Sequence, residues 1–85
     1  MQLKGTTVLL TGASGGIGAA LCDELVAAGA RVLAVGRDQA RLAQLSERHE
    51  PGNILPFAAD ITLAEERAAL LAFARSLQPT PSLLV

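Results

Sequence analysis

The 85-residue sequence predicts an α/β fold in which a parallel β-sheet carries helices on both faces. Short, almost wholly apolar segments alternate with longer segments whose apolar residues recur at helical spacing, which gives the order β-α-β-α-β-α-β. The apolar segments are nearly continuous, as is typical of parallel strands that are covered on both faces. The connections between segments are short, and no repeat longer than one strand–helix unit is present.

A first strand and a first helix are predicted on either side of a glycine-rich loop. The β-branched and apolar residues 6–11, TTVLLT, predict a short buried strand that stops at Gly12. Helical periodicity follows from Gly16 to about Ala28, and Gly29 is placed to cap the helix at its C-terminus. The apolar residues that recur at helical spacing are Ile17, Leu21, Leu25 and Ala28.

A second strand and a second helix follow. Residues 31–35, RVLAV, predict the strand. Asp38 is suited to cap the N-terminus of the helix, whose inner face would carry Leu42 and Leu45.

The third strand is predicted at residues 54–59, ILPFAA, at or near an edge of the sheet, because Pro56 has no N–H to donate. Thr62 and Glu65 have the spacing of a capping box for a third helix. Residues 82–85, SLLV, predict a fourth strand. The third helix is expected to bury Leu70, Phe73, Ala74 and Leu77, with Glu65, Glu66 and Arg67 as cap and solvated surface.

The composition indicates one folded domain and excludes several classes of protein. Hydrophobic residues make up 51% of the chain and charged residues 18%. The net charge of −1 offers no long-range attraction for nucleic acid or an acidic membrane, so neither is expected as a partner. A single cysteine, Cys22, fits a reducing compartment and an apolar role on its helix. With no secretory or transmembrane segment, we expect a soluble, cytoplasmic protein, and we predict no metal site.

The loop at residues 11–18, TGASGGIG, has a physical use in this position. A helix N-terminus presents unpaired N–H groups and partial positive charge, and it binds anions if the backbone can be approached closely. Gly12 permits the tight turn, Gly16 the close approach of a pyrophosphate, and Gly18 the close packing of helix on strand. The alternative is an ordinary turn that happens to be rich in glycine.

The spacing T-G-x-x-x-G-x-G resembles the cofactor loop of the short-chain dehydrogenases/reductases nearly letter for letter. The segments VGRDQARL after strand two, ADI after strand three and LLV at the end of the sequence come in the order that this family shows. The resemblance implies a Rossmann-like sheet with strand order 3-2-1-4. It also implies that residues 1–85 are the N-terminal part of a dinucleotide-binding domain, truncated at the fourth strand.

The resemblance also assigns cofactor-binding residues. Ile17 is expected to offer its backbone N–H to the pyrophosphate, and Asp60 and Ile61 match the pair that lies along the adenine. A solvated loop acid is the alternative for Asp60. The residues that match the dinucleotide loop are Thr11, Gly12, Ser14, Gly16, Ile17 and Gly18.

The end of the second strand predicts which dinucleotide is preferred. An acidic residue there would accept a hydrogen bond from the ribose 2′-hydroxyl of NAD, whereas an arginine accommodates the 2′-phosphate of NADP. The chain has Gly36 followed by Arg37, and Ser14 could add a hydroxyl. NADP(H) is therefore expected to be preferred, with NAD(H) possible. A surface cation is the alternative for Arg37.

The family's reaction machinery is missing from these residues. Members that transfer hydride use an Asn-rich stretch after strand four, a serine and a Tyr-x-x-x-Lys pair, but this chain has no tyrosine and its only lysine is Lys4. We assign no catalytic residue, His49 included, and expect the 85 residues alone to be inactive. The complete protein is expected to be a homo-oligomeric oxidoreductase acting on a carbonyl or alcohol. The alternatives are a non-catalytic dinucleotide-binding or scaffold module, and an α/β domain that binds nothing.

Overall fold

A computed structural model of the protein describes residues 3–78 and 80–84, and within them it shows a four-stranded parallel sheet with helices on both faces. The predicted class and element order are confirmed. Val85, the last residue of the predicted fourth strand, lies outside the described residues. The elements are β1 (Thr7–Thr11), α1 (Gly16–Ala27), β2 (Arg31–Gly36), α2 (Gln39–Glu47), β3 (Ile54–Ala58), α3 (Ala64–Ser76) and β4 (Pro81–Leu84).

The strands lie in the order β3-β2-β1-β4, as predicted. The first three strands are added in one direction along the sheet, and β4 then returns to the other side of β1. This reversal of direction is where doubly wound sheets bind ligands. Pro56 lies on the outermost strand β3, beside Ala34, so its missing N–H interrupts no ladder on the side away from β2.

Alternate residues of the central strands enter two separate cores. On one face Val8 and Leu10 of β1 pack with residues of α1 and α2. On the other face Leu9 packs with β2 and with Leu70 and Ala74 of α3. Both faces of β1 and β2 are therefore buried from solvent, which explains why the sequences of these strands are continuously apolar.

Helix α1 packs on the sheet with three of its four predicted inner residues, Leu21, Leu25 and Ala28, whereas the fourth, Ile17, lies outside the core. Ile17 is 88% exposed, whereas Cys22 is fully buried beside Leu25. Burial, with a smaller contribution from the neighbouring Asp23, raises the pKa of the Cys22 thiol to about 11. Cys22 is thus a protonated, apolar core residue at neutral pH.

Helix α2 begins as predicted, with Asp38 as its N-cap accepting a hydrogen bond from the backbone N–H of Arg41 at 3.1 Å. The inner residues Leu42 and Leu45 are both buried. Just beyond the helix, Arg48 and His49 both bond to Asp23 of α1, with His49 Nε2 lying 2.7 Å from a carboxylate oxygen. This contact joins the two helices on one face of the sheet, and no local sequence rule indicates it.

The predicted capping box at the start of α3 is wrong. The N-cap is Leu63, which makes no side-chain capping bond. Thr62 instead donates its backbone N–H and its hydroxyl to Asp60 Oδ1, at 3.0 and 2.6 Å. The carboxylate of Asp60 accepts both of these hydrogen bonds and so forms a local Asx-type turn, which takes the place of a side-chain cap from Thr62. Of the residues predicted to be inside, Leu70 and Ala74 are buried, and Phe73 and Leu77 are partly buried.

Leu42→Ala tests the core beneath α2. Leu42 is only 1% exposed, so truncation leaves a cavity and should cost about 2–5 kcal/mol of the free energy of unfolding. Leu71→Ala is the matched control, because Leu71 is 50% exposed on α3 and should cost about 1 kcal/mol or less. Urea unfolding followed by circular dichroism measures both. Equal losses in the two variants would contradict the assignment of Leu42 to the core.

Candidate functional site

A cleft of about 490 Å³ opens at the carboxyl ends of β1, β2 and β3. It has the position expected for a ligand site in a sheet of this topology and a volume within the usual range for such sites. Six of the predicted cofactor-binding residues line it, and three do not. The six are Thr11, Gly12, Ser14, Arg37, Asp60 and Ile61; the three outside it, Gly16, Ile17 and Gly18, lie on the first turn of α1.

The glycine-rich loop is a tight turn held against the neighbouring strand. Gly12 has a φ of +68°, a backbone conformation that residues with a side chain rarely adopt. The N–H of Ala13 donates to the carbonyl of Val35 on β2 at 2.9 Å, and the N–H of Gly15 donates to the carbonyl of Gly12 at 3.2 Å. These bonds fix the loop over the end of the sheet.

Gly16 and Gly18 serve different purposes, although both lie in the first turn of α1. A Cβ at position 18 would lie 2.1 Å from the carbonyl oxygen of Gly12, so no side chain fits there. A Cβ at position 16 would meet nothing within 4 Å. The packing of the described residues therefore requires glycine at 18 but leaves the space above Gly16 open for something else to approach.

The N-terminus of α1 is suited to an anion. Its N-cap, Gly15, makes no side-chain capping bond, and its first turn has no acidic residue. The first N–H groups of the helix therefore have no competing carboxylate, and the helix dipole favours negative charge there. Ile17, in this turn, projects outward and is 88% exposed.

The end of β2 presents one cation next to the cleft. Arg37 is exposed, and no hydrogen bond or salt bridge joins it to another of the described residues. Asp38 points elsewhere, since its carboxylate caps α2 and lies 3.4 Å from Arg41 Nε. The repulsion that Asp38 could exert on a phosphate beside Arg37 is reduced by these two contacts.

The residues after β3 form a rigid turn at the far wall of the cleft. The hydrogen bond from the Thr62 hydroxyl, then the one from its backbone N–H, and more weakly the charge of Arg37, hold the pKa of Asp60 below its usual value. Asp60 is therefore charged at neutral pH. The adjoining Ile61 is 41% exposed and offers an apolar surface.

Two residues that we interpreted from the sequence as solvated surface hold this turn in place. Glu66 accepts a hydrogen bond from the backbone N–H of Asp60 at 2.9 Å, and Arg67 donates to the carbonyl of Ile61 at 2.9 Å. Both contacts span six residues, from the first turns of α3 back to the loop. No short-range motif has this spacing, so the sequence gives no signal for their role.

Within residues 3–78 and 80–84, no group of three or more His, Cys, Asp or Glu side chains is placed to hold a metal ion. No helix in the same ranges is long and apolar enough to cross a membrane.

The cleft and the helix N-terminus fit a dinucleotide. The open space above Gly16 and the uncapped N-terminus of α1 suit a phosphate group, and Arg37 adds a positive charge beside the cleft. The apolar side chain of Ile61 suits a flat ring system.

Comparison with known proteins gives consistent results. The sequence model of the short chain dehydrogenases matches residues 6–83. The cis-2,3-dihydrobiphenyl-2,3-diol dehydrogenase of Paraburkholderia xenovorans is 40% identical over 67 residues, which are 79% of this chain and 24% of that protein. A probable NADP-dependent dehydrogenase of Haemophilus influenzae is 44% identical over 59 residues, 69% of this chain and 23% of that protein.

Solved structures agree with the sequence relatives. The 3-ketoacyl-(acyl-carrier-protein) reductase of Brucella melitensis, crystallised with NADH, has a TM-score of 0.90 and 29% identity over 98% of this chain and 34% of its own. The chain thus spans about a quarter of the length of these curated relatives and about a third of that reductase.

Thr62→Val tests the turn at Asp60. The substitution removes the hydroxyl that donates to Asp60 at 2.6 Å, so the pKa of Asp60 should rise towards its ordinary value of 3.8. The lowered pKa of Asp60 stabilises the folded state above pH 3.8, and this contribution is lost as pH falls through the folded-state pKa. The variant should therefore lose less stability on acidification.

Carbon-13 NMR titration of the side-chain carboxyls measures the pKa of Asp60 directly. Thr80→Val, at an exposed position outside this turn, is the matched control and should leave Asp60 unchanged. An Asp60 pKa that is the same in Thr62→Val and in the unmodified chain would contradict the hydroxyl's role.

Proposed function

The chain belongs to the short-chain dehydrogenase/reductase family, and we propose on this basis that it is the NADP(H)-binding part of an oxidoreductase. The complete protein would transfer hydride between NADP(H) and a carbonyl or alcohol substrate. One observation carries the proposal: a cleft at the ends of three parallel strands brings the glycine loop, Arg37 and Asp60 together. The loop, Arg37 and Asp60 are 19 or more positions apart in the sequence, and the fold alone brings them together.

The pyrophosphate is assigned to the first turn of α1. Gly12 and Gly16 leave the backbone open, and the N–H of Ile17 is the proposed donor, assisted by the helix dipole. Gly18 takes part indirectly, because it lets α1 approach the loop. Thr11, the last residue of β1, lines the floor of the cleft below this position.

The adenosine half is assigned to the other side of the cleft. Asp60 and Ile61 are proposed to lie along the adenine, with Glu66 and Arg67 holding their backbone in position. Arg37 is proposed to bind the ribose 2′-phosphate through paired N–H donors, with the Ser14 hydroxyl nearby.

The preference for NADP(H) is supported by the residues at the end of β2 and by the name of the Haemophilus influenzae relative. The Brucella melitensis reductase was crystallised with NADH, so the family accommodates both nucleotides and NAD(H) is the second candidate. When bound, the nicotinamide supplies or accepts the hydride. The proton donor and its supporting lysine are assigned to residues outside these 85, since the chain has no tyrosine.

Gly16→Val tests the pyrophosphate site. The new side chain would project into the open space that the pyrophosphate is proposed to use, so dinucleotide affinity should fall at least about 100-fold while the fold is kept. Ala20→Val, at an exposed position one turn further along α1, is the matched control and should bind normally. Calorimetric titration of NADPH, with circular dichroism to check the fold, measures both. Undiminished affinity in a folded Gly16→Val protein would refute the phosphate assignment and indicate a purely structural turn.

Arg37→Ala tests the choice of nucleotide. A charge-assisted hydrogen bond contributes about 1.5–3 kcal/mol, which corresponds to about a 10- to 100-fold loss of NADPH affinity. Because Arg37 is exposed, salt screening places the loss near the lower end, and it should shrink further at high ionic strength. NADH affinity should be nearly unchanged.

The measurement is a pair of dissociation constants, for NADPH and NADH, at fixed salt. Arg75→Ala, an exposed arginine in the last turn of α3, is the control for a general loss of positive charge. If the unmodified protein binds NADH as tightly as NADPH, or if Arg37→Ala weakens both equally, Arg37 is only a surface cation.

A further inference from the structure

Gly36, the last residue of β2, is enclosed by the glycine-rich loop. A Cβ at position 36 would lie 2.6 Å from Ser14 Oγ, 3.0 Å from Ser14 Cβ and 3.1 Å from the backbone nitrogen of Ser14. Carbon atoms in folded proteins have their optimal contacts at about 3.5–4.0 Å, so all three distances are too short for an unstrained contact. A side chain at position 36 therefore requires Ser14 Oγ to move away and the rest of Ser14 to shift by a few tenths of an ångström.

Ser14 is not free to move aside as a whole. The residue before it is bonded to the carbonyl of Val35 at 2.9 Å, and the residue after it is bonded to the carbonyl of Gly12 at 3.2 Å. The backbone of Ser14 is thus held on both sides over the end of β2. Relief can come only from rotation or removal of its short side chain.

Position 36 is also where an acidic residue would accept a hydrogen bond from a ribose 2′-hydroxyl. We propose that Ser14 is a specificity-determining residue: its side chain occupies the space that a side chain at position 36 requires, and so keeps an acidic residue out of the nucleotide site. This inference rests on the proposed function. It implies that a change of preference towards NAD(H) needs substitutions at both positions, because Gly36→Asp alone collides with Ser14.

A stability cycle tests the steric coupling without any ligand. In the full chain, Gly36→Ala adds only the Cβ and should lower Tm by about 5–15 °C, the range expected for overpacking a small domain. In the Ser14→Gly background, where only the 3.1 Å contact with the backbone remains, the same substitution should cost less than half as much. Ser14→Ala keeps the 3.0 Å contact and should give an intermediate result. Equal losses in all three backgrounds would overturn the coupling.

Nucleotide binding tests the specificity. Gly36→Asp/Ser14→Gly should bind NADH at least about 10-fold more tightly than Gly36→Asp alone, because only the double variant can place the carboxylate towards the ribose. Both should bind NADPH more weakly than the unmodified protein, since the new carboxylate repels the 2′-phosphate. Ala20→Val/Gly36→Asp, with the second substitution at an exposed position of α1, is the matched control and should behave as Gly36→Asp does.

The outcomes separate the two claims. Equal NADH affinity in Gly36→Asp and in the double variant overturns the specificity role of Ser14, even if the stability cycle shows coupling. If neither the unmodified chain nor any variant binds NADPH or NADH, the proposed function is overturned, and the specificity claim with it. The stability cycle still measures the packing of Ser14 against position 36 in that case. Binding of nucleotide with an additive stability cycle overturns the coupling and the specificity role argued from it, and leaves the proposed function standing.

Discussion

The close approach of α1 to the glycine-rich loop is the constraint on which the site depends. Gly18 lies so near the carbonyl of Gly12 that even a methyl group would come within 2.1 Å of that oxygen. The approach sets the first turn of α1 directly over the ends of the strands, with its N–H groups unclaimed by any capping side chain. Without it the helix would stand further from the sheet, and the helix N-terminus that suits a pyrophosphate would lie further from the cleft.

The rest of the cleft is arranged around that fixed turn. The hydrogen bond from the Ala13 N–H to the carbonyl of Val35 joins the loop to β2. The nearness of Ser14 to Gly36 then limits which side chain β2 can have at its last position. One strand further, the bond from Ala59 to the carbonyl of Gly36 positions the start of the Asp60 turn. The site is thus a series of backbone contacts across three strand ends, with few side chains that act independently. This explains why glycines and short side chains dominate it.

Several of the other charged residues stabilise the scaffold. Asp38 caps α2, Asp23 joins α1 to the residues after α2, and Glu66 and Arg67 hold the turn after β3. Among the described residues, Arg37 is the cation that lines the cleft and makes no hydrogen bond or salt bridge to another residue. In the proposed function, Arg37 is therefore the side chain that distinguishes a 2′-phosphate from a 2′-hydroxyl, and the proposed role of Ser14 would keep an acidic residue away from it.

The amino-acid sequence by itself determined the class, the element order and the position of the glycine-rich loop. These follow from local properties: continuous apolar strands, helical periodicity and the Asp38 cap, each expressed within a few residues. The strand order was implied by the resemblance of the glycine-rich loop to a known family, and Pro56 indicated only that β3 lies at or near an edge. The Asp60 turn that stands in place of the predicted Thr62–Glu65 capping box is a local feature that the capping-box pattern did not predict. Tertiary structure alone decided that α1 buries Cys22 and leaves Ile17 exposed. It also brought Ser14 against Gly36 and Asp23 against His49. These two contacts join residues that are 22 or more positions apart in the sequence. Their interatomic distances depend on how the loop and helices pack against the sheet, and no local sequence pattern specifies that packing.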